Sequence, residues 1–266
     1  MSPAFVSGSP SDDRPDHEAR RSPLLDRLAA QALAQVAGRF RAGRADPDGS
    51  ALDRLYSAAV GADPRACAEV ARALIADGLG ADRICDVHIP SVARRMGDDW
   101  VADDLSFSAV TIGAARLQVL LRELDATLGR AAPMAAPGEA ILLVVAPGAD
   151  HTLGALLLSS QLRRKGFTVQ LSLGEGQAAT AAAVAGSRFD AVFLSATIPA
   201  SLPFLVDAAA AIRAAVPAPP PIVLGGALVD GPGRDGLATN ARLASIDHVT
   251  CDPDEAIRLC GLTAAS

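Results

Sequence analysis

Two hydrophobic periods divide the chain at about residue 130. Upstream of that point, apolar residues recur every three or four positions, and the first such run comprises Leu25, Ala29, Leu33, Val36 and Phe40. Downstream, short apolar runs such as AILLVVA (140–146) alternate with segments rich in small residues. The first period is typical of amphipathic helices, and the second is typical of buried strands joined by helices. The pattern therefore predicts a helical bundle over 23–130 followed by an α/β domain over 140–266.

Further helices are predicted at 50–60, 64–78, 84–100 and 106–129. In the third of these, Pro90 should either kink the helix or mark its true start. One apolar stripe on that helix comprises Cys85, Ile89, Val92, Met96 and Trp100. The apolar face of the last helix comprises Phe107, Val110, Ala114, Leu117, Leu121 and Leu124. Amphipathic helices joined by short connections form a small bundle.

Strands are predicted at 140–146, 167–173, 189–195, 221–225 and 246–250, with helical segments between them. This alternation predicts a doubly wound, Rossmann-like parallel sheet covered on both faces. Residues 131–139, within the proline-containing stretch GRAAPMAAPGE, are assigned as the linker. Residues 1–22 are rich in Ser, Pro, Asp and Arg and are predicted to be a disordered tail.

Charge and cysteine content narrow the class of protein. The net charge of −6 argues against broad nonspecific binding to nucleic acid. The four cysteines show no CxxC spacing, which disfavours a zinc site or a redox pair. The first residues lack the apolar core of a signal peptide, and no stretch of eighteen uncharged apolar residues occurs. We therefore expect a cytoplasmic protein with no membrane partner.

Three short motifs each follow a different predicted strand. They are H-x-x-G at His151 and Gly154, S-A-T at Ser195 to Thr197, and G-G at Gly225 and Gly226. Ligands of open α/β sheets bind outside the carboxyl ends of the strands, so the three motifs should meet at one edge of the sheet. Each motif alone is common turn chemistry, but this order after three different strands is much more specific.

With these motifs, residues 140–266 resemble the cobalamin-binding domain of methionine synthase, the methylmalonyl mutases and the B12 photoreceptors. Those domains carry D-x-H-x-x-G, then S-x-L or S-x-T, then G-G. The resemblance implies that His151 is the lower axial ligand of cobalt and the only metal ligand. It also implies that the nucleotide tail of the cofactor passes Gly154 and contacts residues at the ends of two further strands. These strand-end residues are Ser195, Thr197, Gly225 and Gly226.

This chain departs from the family pattern before the histidine. The family aspartate would fall on Ala149, whereas Asp150 stands one position later and remains a candidate cofactor contact. Carboxylates that orient a ligating histidine tune its bond to the metal, so the His151–cobalt bond should differ from the family's.

The helical half resembles the bundle that caps B12 in the same family. PSVARRMGDDW (90–100) matches the pattern P-x₆-G-x₂-W, which implies that Trp100 covers the upper face of the corrin. In adenosylcobalamin photoreceptors of the MerR type, Glu-His follows this tryptophan, but Val110 and Thr111 stand here. The upper face should therefore hold a small ligand such as water or hydroxide.

Three other polar features favour ordinary structural roles. His88 beside Pro90 is expected to face solvent or the linker, with contact to the cofactor as the lesser alternative. His248 on the fifth strand is expected to be structural. The run Arg163-Arg164-Lys165 ends the helix after the first strand, where cations complement the helix dipole and a solvated end is expected.

This arrangement looks like the AerR/PpaA group of photosynthesis-gene regulators, which bind cobalamin and act as antirepressors. The resemblance implies a non-enzymatic, light-responsive regulator that binds hydroxo-, aquo- or adenosylcobalamin. Its implied partner is a transcriptional repressor of the PpsR/CrtJ type, and direct contact with DNA is left open. Two alternatives remain: a corrinoid methyl carrier of a methyltransferase system, and a haem-binding sensor on the same fold.

Overall fold

The computed structural model describes residues 49–131, 138–148, 152–229 and 244–263. Within this part of the chain, helices precede a parallel sheet flanked by helices, as the change of hydrophobic period predicts. The predicted tail at 1–22, the first amphipathic run and most of the linker lie outside the described residues. Asp150 and His151 also lie outside them.

The helical part contains α1 (Gly49–Val60), α2 (Ala66–Ala76), the short α3 (Ala81–Arg83), α4 (Ile89–Val101) and α5 (Phe107–Ala131). Each helix predicted between residues 50 and 129 is present. The second is shorter than predicted, because Pro64 lies ahead of its first residue and Asp77 caps its end.

A π-helical turn, Ile84–His88, joins α3 to α4. Proline has no N–H, so Pro90 cannot donate to the carbonyl of Asp86 four residues earlier. The hydrogen-bonding pattern widens instead, and the N–H of Ile89 bonds to the carbonyl of Ile84 five residues back. Of the two expected effects of Pro90, the structure shows the second: it stands at the start of the regular helix.

The predicted stripe on α4 is confirmed, because all five of its members are buried in the core of the bundle. The prediction for α5 is wrong at Phe107, which is 43% exposed. Phe107 is the first residue of its helix, so no preceding helical turn covers it. Its ring lies 5.8 Å from the ring of Trp100, at a tilt of 54°. The apolar face is thus continued by an aromatic pair at the end of the bundle.

The sheet consists of β1 (Ala140–Val145), β2 (Thr168–Leu173), β3 (Ala191–Ser195), β4 (Ile222–Gly225) and β5 (His248–Val249). Its strand order is β2-β1-β3-β4-β5, and all four pairings are parallel. The predicted fold class, a helical bundle followed by a doubly wound parallel sheet, is therefore confirmed. The last strand is shorter than the predicted run at 246–250.

Alternate residues of β1 enter two separate cores. Leu142 and Val144 pack in the core against α7 (Gln177–Gly186) and α8 (Leu202–Ala215). Leu143 packs in the opposite core, against α6 (Leu153–Arg164) and α9 (Pro253–Leu259). The wholly apolar run predicted this arrangement, because a strand covered on both faces needs no polar side.

Helix α6 belongs to both halves of the molecule. Leu153 and Leu157 are buried in the core of the helical bundle. Ala155 and Leu162, on another side of the same helix, are buried in a core of the sheet domain. The bundle is therefore packed directly on the helix that follows the β1 loop. Among the described helices, none is long and apolar enough to cross a membrane.

Candidate functional site

The strand order places a crevice between β1 and β3. The chain leaves β1 toward β2 on one side and returns to β3 on the other, so the connections diverge at the carboxyl ends of these strands. Such a switch point is where open α/β sheets bind ligands. Ser195, the last residue of β3, is in register with Val145 on one side and with Gly225 on the other. Two of the predicted motifs thus end side by side at one edge of the sheet.

A cleft opens at this edge, between the sheet and helices α6 and α9. It encloses about 490 Å³ of empty space, including its open mouth. Its walls come from the strand ends, from α6 and from the segment Thr250–Pro253 that follows β5. Apolar side chains dominate, among them Leu143, Leu158, Phe193 and Ala256. An apolar cleft with a few polar groups is typical of a site for an organic ligand.

Four of the predicted site residues line this one cleft: Gly154, Ser195, Gly225 and Gly226. A Cβ atom on Gly225 would lie 2.9 Å from the backbone oxygen of Thr250, so only glycine allows β4 and the segment after β5 to approach this closely. Gly226 has φ of +120°, which a side chain would strain. Both glycines shape the floor of the cleft as well as leaving room in it.

The residues next to His151 are held at the junction of the bundle and the sheet. Thr152 directly follows it, and the Thr152 hydroxyl accepts a hydrogen bond of 3.2 Å from Nε2 of Gln118 on α5. The next residue, Leu153, is 4% exposed within the core of the bundle. Because Val145 ends β1 on the other side of this loop, the loop connects the edge of the cleft to the bundle.

Two predicted site residues lie apart from the walls of the cleft. Thr197 is 3% exposed, and its hydroxyl has no hydrogen-bond partner among the described residues. Trp100 is buried at the end of the bundle beside Phe107. A ligand in the cleft can therefore contact Thr197 or Trp100 only if it extends beyond the cleft.

The Trp100 helix is fixed to α1 by a polar cluster. Tyr56 donates a short hydrogen bond to the carboxylate of Asp99, and the guanidinium of Arg95 lies 4.0 Å from the centre of the Tyr56 ring. Arg95 also bonds to Asp53 at 2.5 Å. Burial first, and then the bond to Asp99, raise the pKa of Tyr56 to about 12. The phenol is therefore a donor throughout the physiological pH range.

Sequence reasoning missed the wall that follows β5. Asp252 caps α9 by accepting from the backbone N–H groups of Asp254 at 2.8 Å and Glu255 at 3.2 Å. Thr250 forms a short hydrogen bond with Glu255. The pair Asp252-Pro253 is a strong start signal for a helix, and it could have placed this turn at the carboxyl edge of the sheet. Gln161 of α6 was also missed, because a glutamine inside an apolar helix carries no distinctive signal.

The prediction of a solvated end for the basic run is confirmed for Arg163 and Lys165, which are exposed, and is wrong for Arg164, which is 20% exposed. Arg164 forms ion pairs with Asp86 of the π-helical turn and, at 3.2 Å, with Asp125 of α5. Arg163 donates to the carbonyl of Val169 at 2.9 Å, and Lys165 pairs with Asp254 at 2.8 Å. Because α6 packs against the bundle, the end of this helix is partly covered. Arg164 thereby joins the sheet domain to two helical elements.

The histidines within the described residues lie outside the cleft walls. His88 is fully buried, with Nδ1 3.3 Å from the carbonyl of Arg83, so the expectation that it faces solvent or the linker is wrong. His88 is the last residue of the π-helical turn, which packs in the bundle. His248 lies in β5 and is partly buried, in line with a structural role.

The described residues contain no group of three potential metal ligands. None of the four cysteines forms a disulfide, and Cys251 lines the cleft. Burial raises the pKa of Cys85 to about 12 and that of Cys260 to about 11.

No protein-family model matches the chain. A Rhodobacter capsulatus protein, described as an uncharacterized 20.5 kDa protein in the bchF-crtJ intergenic region, is 38% identical over 108 residues, or 41% of this chain and 56% of that protein. A probable DNA ligase of Anaeromyxobacter dehalogenans is 31% identical over 230 residues, or 79% of this chain and 39% of the ligase. The chain thus spans just over half the length of the Rhodobacter protein and less than half the length of the ligase.

Among solved structures, the monomethylamine corrinoid protein of Methanosarcina barkeri superposes with a TM-score of 0.59 at 19% identity. The match covers 80% of this chain and 98% of the corrinoid protein. At this identity the likeness concerns the fold. The chain therefore shares the bundle-and-sheet fold of a corrinoid protein.

Proposed function

We propose that this protein binds a cobalamin between its helical bundle and its sheet and regulates transcription through a partner repressor. The observation that carries the proposal is the cleft at the switch point, which is lined by Gly154, Ser195, Gly225 and Gly226. The resemblance to cobalamin-binding domains implies that these four residues lie along the nucleotide tail. In the fold they share one site, although 72 positions, 154 to 226, separate the first from the last.

The walls of the cleft fit the tail of a cobalamin. The tail ends in a flat, uncharged heterocycle, and apolar side chains with a glycine floor suit such a group. Gly225 and Gly226 let the backbone approach a bulky ligand closely. The buried Thr197 hydroxyl, at the end of β3, is a polar group that a larger ligand can satisfy.

His151 is the proposed lower axial ligand of cobalt. In the sequence it directly precedes Thr152, whose hydroxyl accepts a hydrogen bond from Gln118 of α5. A neutral imidazole is a good ligand for such a metal. When bound, the corrinoid supplies a cobalt ion with a second axial position whose ligand responds to light or to redox state.

The opposite face of the corrin is proposed to meet the end of the bundle near Trp100. Val110 is buried in the core, and the Thr111 hydroxyl donates to the carbonyl of Phe107 at 2.9 Å. Neither side chain offers a strong cobalt ligand. Phe107, whose ring lies beside that of Trp100, is 43% exposed, and this exposed ring suits contact with a macrocycle. The arrangement favours a small upper ligand, such as water or hydroxide.

The regulatory role is supported by two features. The described fold is the bundle and sheet that the chain shares with a corrinoid protein, which suits a regulator that binds a ligand. The Rhodobacter relative is described by its position beside crtJ, and the partner implied by the AerR/PpaA resemblance is a repressor of the PpsR/CrtJ type. Binding of the ligand would shift the population between two bundle arrangements, only one of which engages the repressor.

The test is an absorption spectrum of the purified protein mixed with hydroxo-, methyl- or adenosylcobalamin, in the dark and after illumination. Corrinoid retained on gel filtration, lost in His151→Ala and altered by light, together with light-dependent affinity for the repressor, supports the proposal. Retention that illumination leaves unchanged, with methyl transfer from a partner methyltransferase, would favour the carrier function suggested by the Methanosarcina protein. A haem Soret band on adding haemin, without retention of corrinoid, would favour a haem sensor.

A further inference from the structure

An aspartate of the bundle holds a side chain of the cleft. Gln161 lines the cleft and is 6% exposed. Its Nε2 donates a hydrogen bond of 3.0 Å to Oδ1 of Asp86. Asp86 lies in the π-helical turn and is not part of the cleft wall. A carboxylate only accepts hydrogen bonds, so this contact fixes the amide nitrogen of Gln161 toward the bundle and its oxygen away from it.

Asp86 is itself held from the other side. Arg164 bonds to Asp86 and to Asp125, and Ser160 bonds to both Asp125 and Arg164. The carboxylate of Asp86 is therefore held in place before any ligand binds. The network joins two bundle elements to α6, and Gln161 is its member that reaches the cleft.

Other polar side chains of the cleft wall are already engaged. The Thr250 hydroxyl bonds to Glu255, and the Asp252 carboxylate accepts from two backbone N–H groups. For Gln161, the contact with Asp86 engages only the amide nitrogen. The amide oxygen is an acceptor on a side chain of a largely apolar wall, where a matching donor on a ligand is rewarded.

We propose that Asp86 is a positioning residue for the ligand: it turns the Gln161 carbonyl oxygen toward the cleft, where that oxygen accepts a hydrogen bond from a hydroxyl or N–H of the ligand. The identity of the ligand rests on the proposed function. A cobalamin tail carries such a donor in its ribose hydroxyl, and cobinamide lacks the nucleotide. The contact therefore selects corrinoids that keep their nucleotide.

The experiment measures the Kd of hydroxocobalamin and of dicyanocobinamide for the full chain and three variants. Asp86→Ala should weaken cobalamin about tenfold and leave cobinamide within about twofold, because only the tail senses Gln161. Asp86→Asn should restore the preference, since its amide oxygen still accepts from Gln161. Asp125→Ala, which breaks the other ion pair of Arg164, should keep the preference. Equal losses for both ligands, or equal losses in Asp86→Ala and Asp86→Asn, would overturn the proposal.

A ligand-free arm separates this proposal from the proposed function. The rate at which N-ethylmaleimide alkylates Cys251, another residue of the cleft wall, is followed by peptide mass spectrometry. Asp86→Ala should change this rate at least threefold, whereas Asp86→Asn and Asp125→Ala should not. If the wild-type protein bound neither corrinoid, the cobalamin function would fall, and the alkylation rates alone would decide whether Asp86 positions the wall. An unchanged rate in Asp86→Ala would refute that role.

Discussion

Arg164 offers the sharpest prediction about stability, because it joins the sheet domain to the bundle. The change is Arg164→Met, which keeps an unbranched apolar stem and removes the guanidinium. Arg164 is 20% exposed, and its partners Asp86 and Asp125 are each 30% exposed. Their carboxylates keep the bonds to Gln161 and Ser160 but lose the compensating cation.

The expected loss follows from this partial burial. Removing one partner of a fully buried pair costs about 3–5 kcal/mol, and a fully exposed pair contributes about 0.2–1 kcal/mol. Two pairs of intermediate burial should together contribute about 2–3 kcal/mol to the free energy of unfolding. Arg163→Met is the matched control, because Arg163 bonds within the sheet domain to Val169 and should cost at most about 1 kcal/mol.

The assay is urea unfolding followed by two probes. Trp100 is the only tryptophan, so its fluorescence reports on the bundle, whereas far-ultraviolet circular dichroism reports on both parts. Arg164→Met should lower both midpoints and separate them, because the bundle and the sheet domain lose the ion pairs that join them. If the two unfolding midpoints of Arg164→Met stayed coincident and shifted no more than those of Arg163→Met, Arg164 would not join the two parts of the fold as described.

Three further predictions concern the cleft and the buried titratable groups. Gly225→Ala should weaken cobalamin binding at least tenfold in a Kd titration, because the new Cβ would lie 2.9 Å from the backbone oxygen of Thr250. The control Gly186→Ala should bind cobalamin normally, because a Cβ at that position has no atom within 4 Å. Equal affinities of the two variants would contradict this role of Gly225. Burial raises the pKa of Cys85 to about 12, so about one molecule in ten thousand should carry the thiolate at pH 8. Cys85 should therefore resist iodoacetamide until the protein unfolds, and rapid labelling in the native state would be incompatible with its burial. For Cys251 in the cleft wall, bound cobalamin should slow alkylation. The single tyrosine, Tyr56, should titrate near pH 12 by absorbance at 295 nm after a pH jump, against about 10 in the unfolded chain. Folding favours the neutral form of Tyr56, so the contribution of Tyr56 to stability is complete below pH 10 and is lost as the pH rises toward 12. Asp99→Asn should lower the pKa of Tyr56. A pKa near 10 in the native protein would contradict the Tyr56–Asp99 contact.

The fold was largely predictable because the hydrophobic period changes once along the chain. The run AILLVVA can be buried on both faces only in a covered parallel sheet, and Leu142 and Leu143 do enter opposite cores. Phe107 fits the same helical period as the buried face of α5, but it begins its helix and lies 43% exposed. Periodicity records which side of a helix is apolar and not where the neighbouring helices end.

The floor of the cleft could be predicted from motifs that follow strands, since parallel strands bring their carboxyl ends together. Gln161 and Asp86 could not, because their contact joins residues 75 positions apart in two different parts of the fold. The ion pairs of Arg164 were hidden for the same reason. A local pattern assigns a cation at a helix end to the helix dipole, and only the packing of α6 on the bundle gives it specific partners.

If His151 ligates the cobalt of a cobalamin whose tail lies in the cleft, its nitrogen should be detected by electron paramagnetic resonance of the protein loaded with cob(II)alamin, after growth with ¹⁵N-labelled histidine. We expect that the nitrogen splitting changes from the triplet of ¹⁴N to the doublet of ¹⁵N, and that the doublet is absent in His151→Ala. A triplet that persists in the labelled protein would mean that the cofactor keeps its own base on cobalt, and would contradict the proposed site.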